Sequence, residues 1–260
     1  LAPRIHPTAI VSPGAELADG VEVGPFSVIE DKVVIGEGTF IDSHVTIKSH
    51  TTVGRSNKIL SYASIGAEPQ DLTYRGEETE LIIGDENSIH EFVTFHRGSA
   101  KGGGVTRVGS RGMFMAYVHI AHDCQVGDQV VMANGATLSG HVIVEDWASI
   151  SGMSPIHQFV RIGTHSYVGA MCGVTKDVPP YCLVAGYRAE LHGLNSVGLK
   201  RRGFGSETMA GLKQAYRTLF RNSGTTMVNN LVEVEQSLGQ VPEVQYLVDF
   251  IRSTQRGICR

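Results

Sequence analysis

A six-residue period constrains this chain more than any other feature. From Ile5, steps of six land on Val11, Leu17, Val23, Ile29, Ile35, Ile41, Ile47, Val53, Ile59 and Ile65, every one aliphatic. The register returns at Ile83, Ile89 and Phe95 and then slips by one. It resumes at Val108 and continues through Phe114, Ile120, Val126, Met132, Leu138, Val144, Ile150, Ile156, Ile162, Val168 and Val174. The next residue is often glycine, as at Gly36, Gly54, Gly84, Gly109 and Gly127. The residue four further on is small or β-branched, as at Ala9, Ala15, Ser27, Thr39 and Thr51. One inward apolar residue, one small inward residue and one corner per six residues make a short strand. Three such strands close a coil of roughly 18 residues, and coils stack at the sheet spacing of about 4.8 Å. The 26 apolar positions supply between about eight and nine coils of a parallel β-helix. Spacing does not set the hand of the coil, and general chirality favours right-handed crossovers.

Two breaks interrupt the register. The first, about 67–82, contains Pro69, Gln70, Asp71, Tyr74 and the acidic Glu77, Glu78 and Glu80. The second, about 97–107, contains Gly102, Gly103 and Gly104, which read as a flexible hinge or as a phosphate cradle. Insertions in a solenoid are loops on one face, often the binding face. Residues 1–187 are expected to form the β-helix and residues 188–260 a helical C-terminal domain, the pattern turning helical from about Ala189. In that domain Met209, Leu212, Tyr216, Leu219 and Phe220 share one helical face behind Ser206 as N-cap. A second helix is expected from about Thr226 to Leu238, and a third after Pro242.

Charge follows the same division. The net formal charge is −4, which leaves no global footprint for nucleic acid. Residues 1–187 carry 12 basic and 20 acidic residues, whereas 188–260 carry 10 basic and 6 acidic. A basic end on an acidic body suits a phosphate or an acidic partner. Cys124, Cys172, Cys182 and Cys259 lack paired spacing, so free thiols in a reducing compartment are expected. No apolar run approaches the roughly 20 residues of a spanning helix, and residues 1–10 have no leader pattern. A cytoplasmic protein without stable membrane insertion is the expectation.

Four histidines converge in coil coordinates. His119 and His122 lie in Val118-His119-Ile120-Ala121-His122-Asp123-Cys124, His141 follows Gly140, and His157 precedes Gln158. A residue lies over the one about 18 positions later, which sets His122 near Gly140 and His141. Three readings compete. The histidines can decorate corners and bond backbone groups. They can bind zinc with Asp123 or Cys124, although no metal is the adopted expectation. Or His122 can act as a general base oriented by Asp123, with the Gly140 N–H meeting a developing oxyanion. No nucleophile motif accompanies them, and Cys124 reads as a small inward residue. Direct acyl transfer to a bound hydroxyl is therefore preferred over an acyl-enzyme.

The motifs His-Ile-Ala-His-Asp-Cys (119–124), Gly-His (140–141), His-Gln-Phe (157–159), Gln-Asp-Leu (70–72) and Gly-Leu-Lys-Arg-Arg-Gly-Phe (198–204) together resemble the acyl-ACP:UDP-N-acetylglucosamine O-acyltransferases of lipid A biosynthesis, across essentially the whole chain. The resemblance implies a left-handed β-helix and a homotrimer with sites between subunits. It implies acyl carrier protein as donor, UDP-GlcNAc as acceptor, and no cofactor. Transfer of an (R)-3-hydroxyacyl chain to the 3-hydroxyl of the sugar follows from it. By motif match, His122 is the base, Asp123 its partner and Gly140 the oxyanion-stabilising amide. His119, His141 and His157 then line the donor and sugar site, and Gln70 and Asp71 contact the sugar. Gln158, Asn195 and Arg201 are nucleotide-side contacts with Arg202 beside them. Ala170 matches an acyl-length ruler and, being small, implies a fairly long chain. Independently, Lys200-Arg201-Arg202 suits a diphosphate or an acidic carrier, or a plain solvated surface. Thr73, Val197 and Arg188 depart from the family pattern at a lysine, a glutamate and a histidine. The sibling N-acyltransferase carries a uridine-binding domain before its helix. The register starting at Ile5 favours the O-acyltransferase.

Overall fold

A computed structural model describes residues 1–222 and 224–260. The periodic series winds into a left-handed prism with three parallel sheets as faces. The first sheet starts at Arg4–Ile5 and has 11 strands; the second starts at Ile10–Val11 and the third at Glu16–Leu17, with 8 strands each. Every third member of the series falls in register on one sheet. Val23 pairs with Ile41, Ile41 with Ile59, Phe114 with Met132 and Met132 with Ile150. From Val23 onward the inward members of the series are at most 4% exposed, so the series itself is the core. Each fully buried Ile or Leu contributes roughly 1.5–3 kcal/mol by leaving water.

Corners are made by a residue three past each inward apolar one. Asp123, His141 and Phe159 hold φ of 61°, 62° and 64°, and the same left-handed value recurs at Phe26, His44, Tyr62, Trp147 and His165. The glycine that follows an inward residue answers to a different need. A Cβ on Gly54 would lie 2.7 Å from the Gly84 carbonyl carbon of the next coil, so only glycine lets those corners stack.

Both insertions leave the prism at the edge between the second and third sheets. The first joins Ser64–Ala67 to Glu80–Ile83; the second joins Thr94–His96 to Val105–Val108. The strands resume sooner than the register suggested. Glu80–Ile83 and Val105–Val108 pair along their whole length, because the outward residues Ile82 and Arg107 sit between inward ones in proper alternation.

The C-terminal part departs from expectation in one respect. Glu190–Leu194, expected to begin the helical region, is a strand antiparallel to Cys182–Ala185 and extends the first sheet. Leu191 pairs with Val184 and is 8% exposed, so this hairpin finishes the prism core. The division expected after residue 187 thus passes through a hairpin. Among the described residues four helices follow: α1 Ser196–Arg201, α2 Ser206–Arg221, α3 Met227–Leu238 and α4 Pro242–Ser253. The short α1 was not anticipated. Ser206 is the first helical residue rather than the cap; Gly205 occupies that place with no side-chain bond. Leu212, Leu219, Leu231, Val234, Val244, Leu247, Val248 and Ile251 form a second apolar core. Asp177 fastens the chain end to the prism. Its carboxylate accepts from Arg161 N–H and Thr254 Oγ1, and its carbonyl from Cys259 N–H.

Candidate active site

The edge that carries both insertions also carries the histidines. Asp123 is buried in its left-handed corner position, and its carboxylate is fully covered. Oδ1 accepts the Ser99 N–H at 2.8 Å; Oδ2 accepts the Ser99 hydroxyl at 2.6 Å. The same Oδ2 lies 2.7 Å from His122 Nδ1. The Asp123 N–H donates to Thr106 Oγ1 at 2.7 Å. A buried carboxylate held by the Ser99 N–H and hydroxyl fixes the imidazole facing it. Nδ1 then carries the proton, leaving Nε2 as the free acceptor.

The glycine-rich insertion makes this clamp. Ala100–Gly102 forms a short 3-10 turn, and a Cβ on Gly102 would lie 2.0 Å from Asp123 Cγ. The insertion's Ser99 N–H and hydroxyl are thus spent on a carboxylate of the same chain. One coil on, a Cβ on Gly140 would lie 2.6 Å from Cε1 and 2.8 Å from Nε2 of His122. Among the described residues the Gly140 N–H donates to no backbone carbonyl. His141 meets His122 edge-on with ring centroids 5.2 Å apart and stacks on Phe159 at 4.5 Å.

His119 projects outward from the second sheet beside this group. Its Nδ1 bonds Thr94 Oγ1 at 2.7 Å, and burial with His96 and His122 close by pushes its pKa down to about 4. It is neutral at physiological pH. His96 packs edge-on to it and is buried with Nδ1 unpartnered. The first insertion lies against the same edge through Arg97, which is buried. Arg97 donates to Gly66 O and to the Tyr74 hydroxyl at 2.8 Å and faces Glu68 at 3.5 Å. Asp71 accepts from Thr73 N–H and Oγ1, and these bonds, with His122 and Lys101 nearby, hold its carboxyl below the usual range. Gln70 is exposed on the same loop.

One coil beyond Gly140, on the same edge, come His157 and Gln158, where the Phe159 N–H donates to Gly140 O. His157 is exposed, with Nδ1 3.1 Å from Gln158 O and 3.3 Å from Arg256 Nη2, and Gln158 is exposed beside it. Asn195, Arg201 and Arg202 stand on the outer face of the first sheet, where Ser149, Tyr167 and Leu183 join them in a cleft of about 350 Å³. There Asn195 caps α1, accepting from Gly198 N–H and donating to His165 O. Arg202 lies over the Trp147 ring at 4.7 Å and reaches Trp147 O and His165 Nδ1. Arg201 is exposed. Ala170 is exposed at the edge between the first and second sheets. Within one chain the structure thus joins His119, His122, Asp123, Gly140, His141 and Asp71, with His157 and Gln158 one coil beyond, and leaves Asn195, Arg201 and Arg202 on another face.

Sequence reasoning passed over Thr94, His96, Arg97, Ser99 and Thr106, and named Gly102 only as part of a hinge or phosphate cradle. Only the small, polar make-up of residues 94–106 could have pointed to them. Ligand atoms of His122, Asp123 and His141 lie within 4.8 Å of one another, the spacing of a metal site. Asp123 already accepts three hydrogen bonds, and a metal there would have to displace the His122 contact, so the donor set suits a base and its partner better. Cys124 points inward and burial pushes its thiol up to about 12, which removes it as a nucleophile.

A prism of stacked hexapeptide coils with both insertions on one edge places the chain in the left-handed β-helix class. A family profile described as UDP N-acetylglucosamine O-acyltransferase, domain 2, matches residues 177–259. The chain is 54% identical over 256 residues to the acyl-[acyl-carrier-protein]–UDP-N-acetylglucosamine O-acyltransferase of Anaeromyxobacter dehalogenans, covering 98% of this chain and 99% of that one. It is 52% identical to that of Thiobacillus denitrificans, with the same coverage. Among solved structures, the UDP-N-acetylglucosamine acyltransferase of Francisella novicida superposes with a TM-score of 0.95 at 41% identity, covering 98% of this chain and 94% of that one. The chain belongs to the acyl-[acyl-carrier-protein]–UDP-N-acetylglucosamine O-acyltransferase family.

Proposed function

We propose that the chain transfers an (R)-3-hydroxyacyl group from acyl carrier protein to the 3-hydroxyl of UDP-GlcNAc, the first step of lipid A biosynthesis. His122 Nε2 takes the hydroxyl proton as that oxygen attacks the thioester carbonyl. The Gly140 N–H receives the oxyanion, and Asp123 balances the imidazolium that forms. Collapse of the tetrahedral species breaks the carbon–sulfur bond, and His122 returns its proton to the departing thiolate. The observation that carries this reading is the 2.7 Å contact between His122 Nδ1 and a carboxylate that is buried and clamped by Ser99. His119, His141, His157, Gln70 and Asp71 line the donor and sugar, and Gln158, Asn195, Arg201 and Arg202 face the nucleotide. Ala170 sets the acyl length. The buried free thiols suit a reducing cytoplasm.

Three copies complete the site. The edge between the first and second sheets is an exposed ridge of Phe26, Tyr62, Phe92, Tyr117, Met153 and Met171. Phe26, His44, Tyr62, Phe92 and Tyr117 stack along it with centroids 4.9–5.1 Å apart. Such a ridge is apolar surface that an assembly buries. With the ridge innermost, the first sheet of one copy, with Arg201, meets the second sheet of the next, with His119 and the His122 edge beside it.

Incubation with UDP-GlcNAc and a series of (R)-3-hydroxyacyl carrier proteins, followed by mass spectrometry, tests the reading. One acyl addition is expected, with a long chain preferred, and His122→Ala is expected to lose roughly 10²–10⁴-fold in turnover while the assembly stays folded. Wild-type turnover in His122→Ala would refute the base assignment.

A further inference from the structure

We infer that His165 is a positioning residue for Arg202, holding one side of its guanidinium so that the other side is presented to the diphosphate of the nucleotide. The inference rests on the proposed acceptor, UDP-GlcNAc, and adds to it how the phosphate contact is aimed. His165 lies outside every motif of the proposed site. Its place follows from the coil. Trp147, His165 and Tyr181 occupy successive corners at the edge between the third and first sheets, with φ of 63°, 56° and 65°. The His165 ring stacks on Trp147 and Tyr181 with centroids 5.8 and 6.0 Å apart, and Phe204 meets it edge-on at 4.9 Å. The imidazole is thus held on both faces and at one edge. Arg202 closes α1 against this column, its guanidinium carbon 4.7 Å from the centre of the Trp147 ring.

Arg202 spends a single side-chain nitrogen on the protein. Nη1 donates to the Trp147 carbonyl and lies 3.1 Å from His165 Nδ1. A guanidinium only donates, so Nδ1 is the acceptor and the imidazole proton sits on Nε2. Burial, with Arg202 beside it, pushes His165 down to about 4, so the ring is neutral and able to accept at physiological pH. Among the described residues Arg202 forms no ion pair, and its Nε and Nη2 donate to nothing. Those two nitrogens share one side of the guanidinium and form the fork that matches two phosphate oxygens. An arginine kept for structure alone looks different. In the same domain Arg252 turns both Nη atoms onto the Glu235 carboxylate at 2.7 and 2.8 Å. Burial works against the charge of Arg202, and no carboxylate lines the cleft of about 350 Å³ that it shares with Arg201. An anion entering that cleft supplies the missing partner, and the bond to His165 sets the direction in which the fork meets it.

The test uses the full chain and three variants. His165→Phe keeps a ring in the stack and removes the acceptor. His165→Asn gives up the ring and restores an acceptor in Oδ1. Arg202→Lys keeps the charge and loses the fork. Affinities for UDP and for uridine, which carries no phosphate, are measured by ligand-observed NMR. KM and kcat for UDP-GlcNAc are measured with the (R)-3-hydroxyacyl carrier protein. His165→Phe is expected to lose about tenfold in UDP affinity and to raise KM by about as much, with kcat and uridine affinity near wild type. His165→Asn should recover most of that loss. Arg202→Lys should match His165→Phe for UDP, and the two changes combined should cost little more than either alone, because both remove one aimed contact. Unchanged UDP affinity in His165→Phe overturns the inference. So does an equal loss for uridine, a fall in kcat at constant KM, or losses that add in the double variant, since His165 would then act apart from Arg202. If His165→Phe fails to fold, wild-type UDP affinity in Arg202→Lys overturns the inference by itself. The expected losses of UDP affinity in a protein whose wild type acylates no sugar nucleotide would uphold the role of His165 and overturn the proposed reaction.

Discussion

At the residue scale, the geometry around Asp123 predicts a selective loss of function. Gly102 has no unusual φ of its own, and alanine there is disfavoured only because its Cβ would fall on the Asp123 carboxylate. Gly102→Ala is therefore expected to displace the 3-10 turn or the carboxylate, lowering kcat at least tenfold through lost base orientation. The thermal midpoint should stay close to that of the wild type. Ser99→Ala, which removes the hydroxyl donor but keeps the N–H, should fall between the two. A KM-against-kcat split separates positioning from mere folding, because a misheld His122 lowers kcat in a protein that still binds its substrates and keeps its thermal midpoint. If Gly102→Ala retains full kcat, the clamp does not orient the base. Two histidines set a stability limit as well. Burial pushes His119 and His165 down to about 4, with Arg202 also acting on His165. Both are neutral in the fold and protonate near 6.5 when unfolded. The unfolded chain thus binds more protons below that point, and stability should decline as pH falls from about 6.5 to about 4. His165→Phe, which keeps the stack on Trp147 and Tyr181, should flatten that decline in denaturant titrations.

At the element scale, the two insertions behave as parts of one device. The second holds Asp123 from above, and the first is tied to the same edge by Arg97. Arg97→Met keeps much of the buried stem but frees Tyr74 and Glu68. The expected result is a raised KM for UDP-GlcNAc, since Gln70 and Asp71 ride on that loop, with kcat nearly unchanged. Equal loss of kcat would show that the loop shapes the base rather than the sugar contacts. The corners answer to different physics. Gly54→Ala forces a Cβ into the Gly84 carbonyl of the next coil, and a cost of about 1–3 kcal/mol from overpacking is expected in chemical denaturation. This contrast explains what was legible in the sequence. The register was legible from Ile5 to Val174 because every sixth side chain answers to one demand, burial. The neighbourhood of His122 with Gly140 was legible because stacking converts a separation of 18 into contact. Ser99 and Gly102 were not, since an inserted loop breaks that conversion and nothing local ties residue 99 to residue 123. Glu190–Leu194 was misread as helical for a related reason. One strand that pairs antiparallel carries no repeat to announce it.

At the scale of the whole molecule, the residues of the proposed site fall on two faces of the prism. His122 stands at the edge between the second and third sheets, while Arg201 stands on the outer face of the first. A rigid prism cannot bring them together within one chain, so Arg201 assists the His122 of the same chain only if it acts at long range. If copies pack around the aromatic and methionine ridge, Arg201 of one copy serves His122 of the next. Two inactive variants should then rescue each other. His122→Ala supplies an intact Arg201, and Arg201→Ala supplies an intact His122. When the two are unfolded together and reassembled at equal amounts, each site needs the right residue from both neighbours, and about a quarter of the sites should be whole. Each variant reassembled alone should stay inactive. Recovery of about a quarter of wild-type turnover, measured beside the mass of the mixed assembly, would establish a site built across the ridge interface. Mixed assemblies without recovery would return Arg201 to the surface and leave the nucleotide to be held by the His122 edge alone.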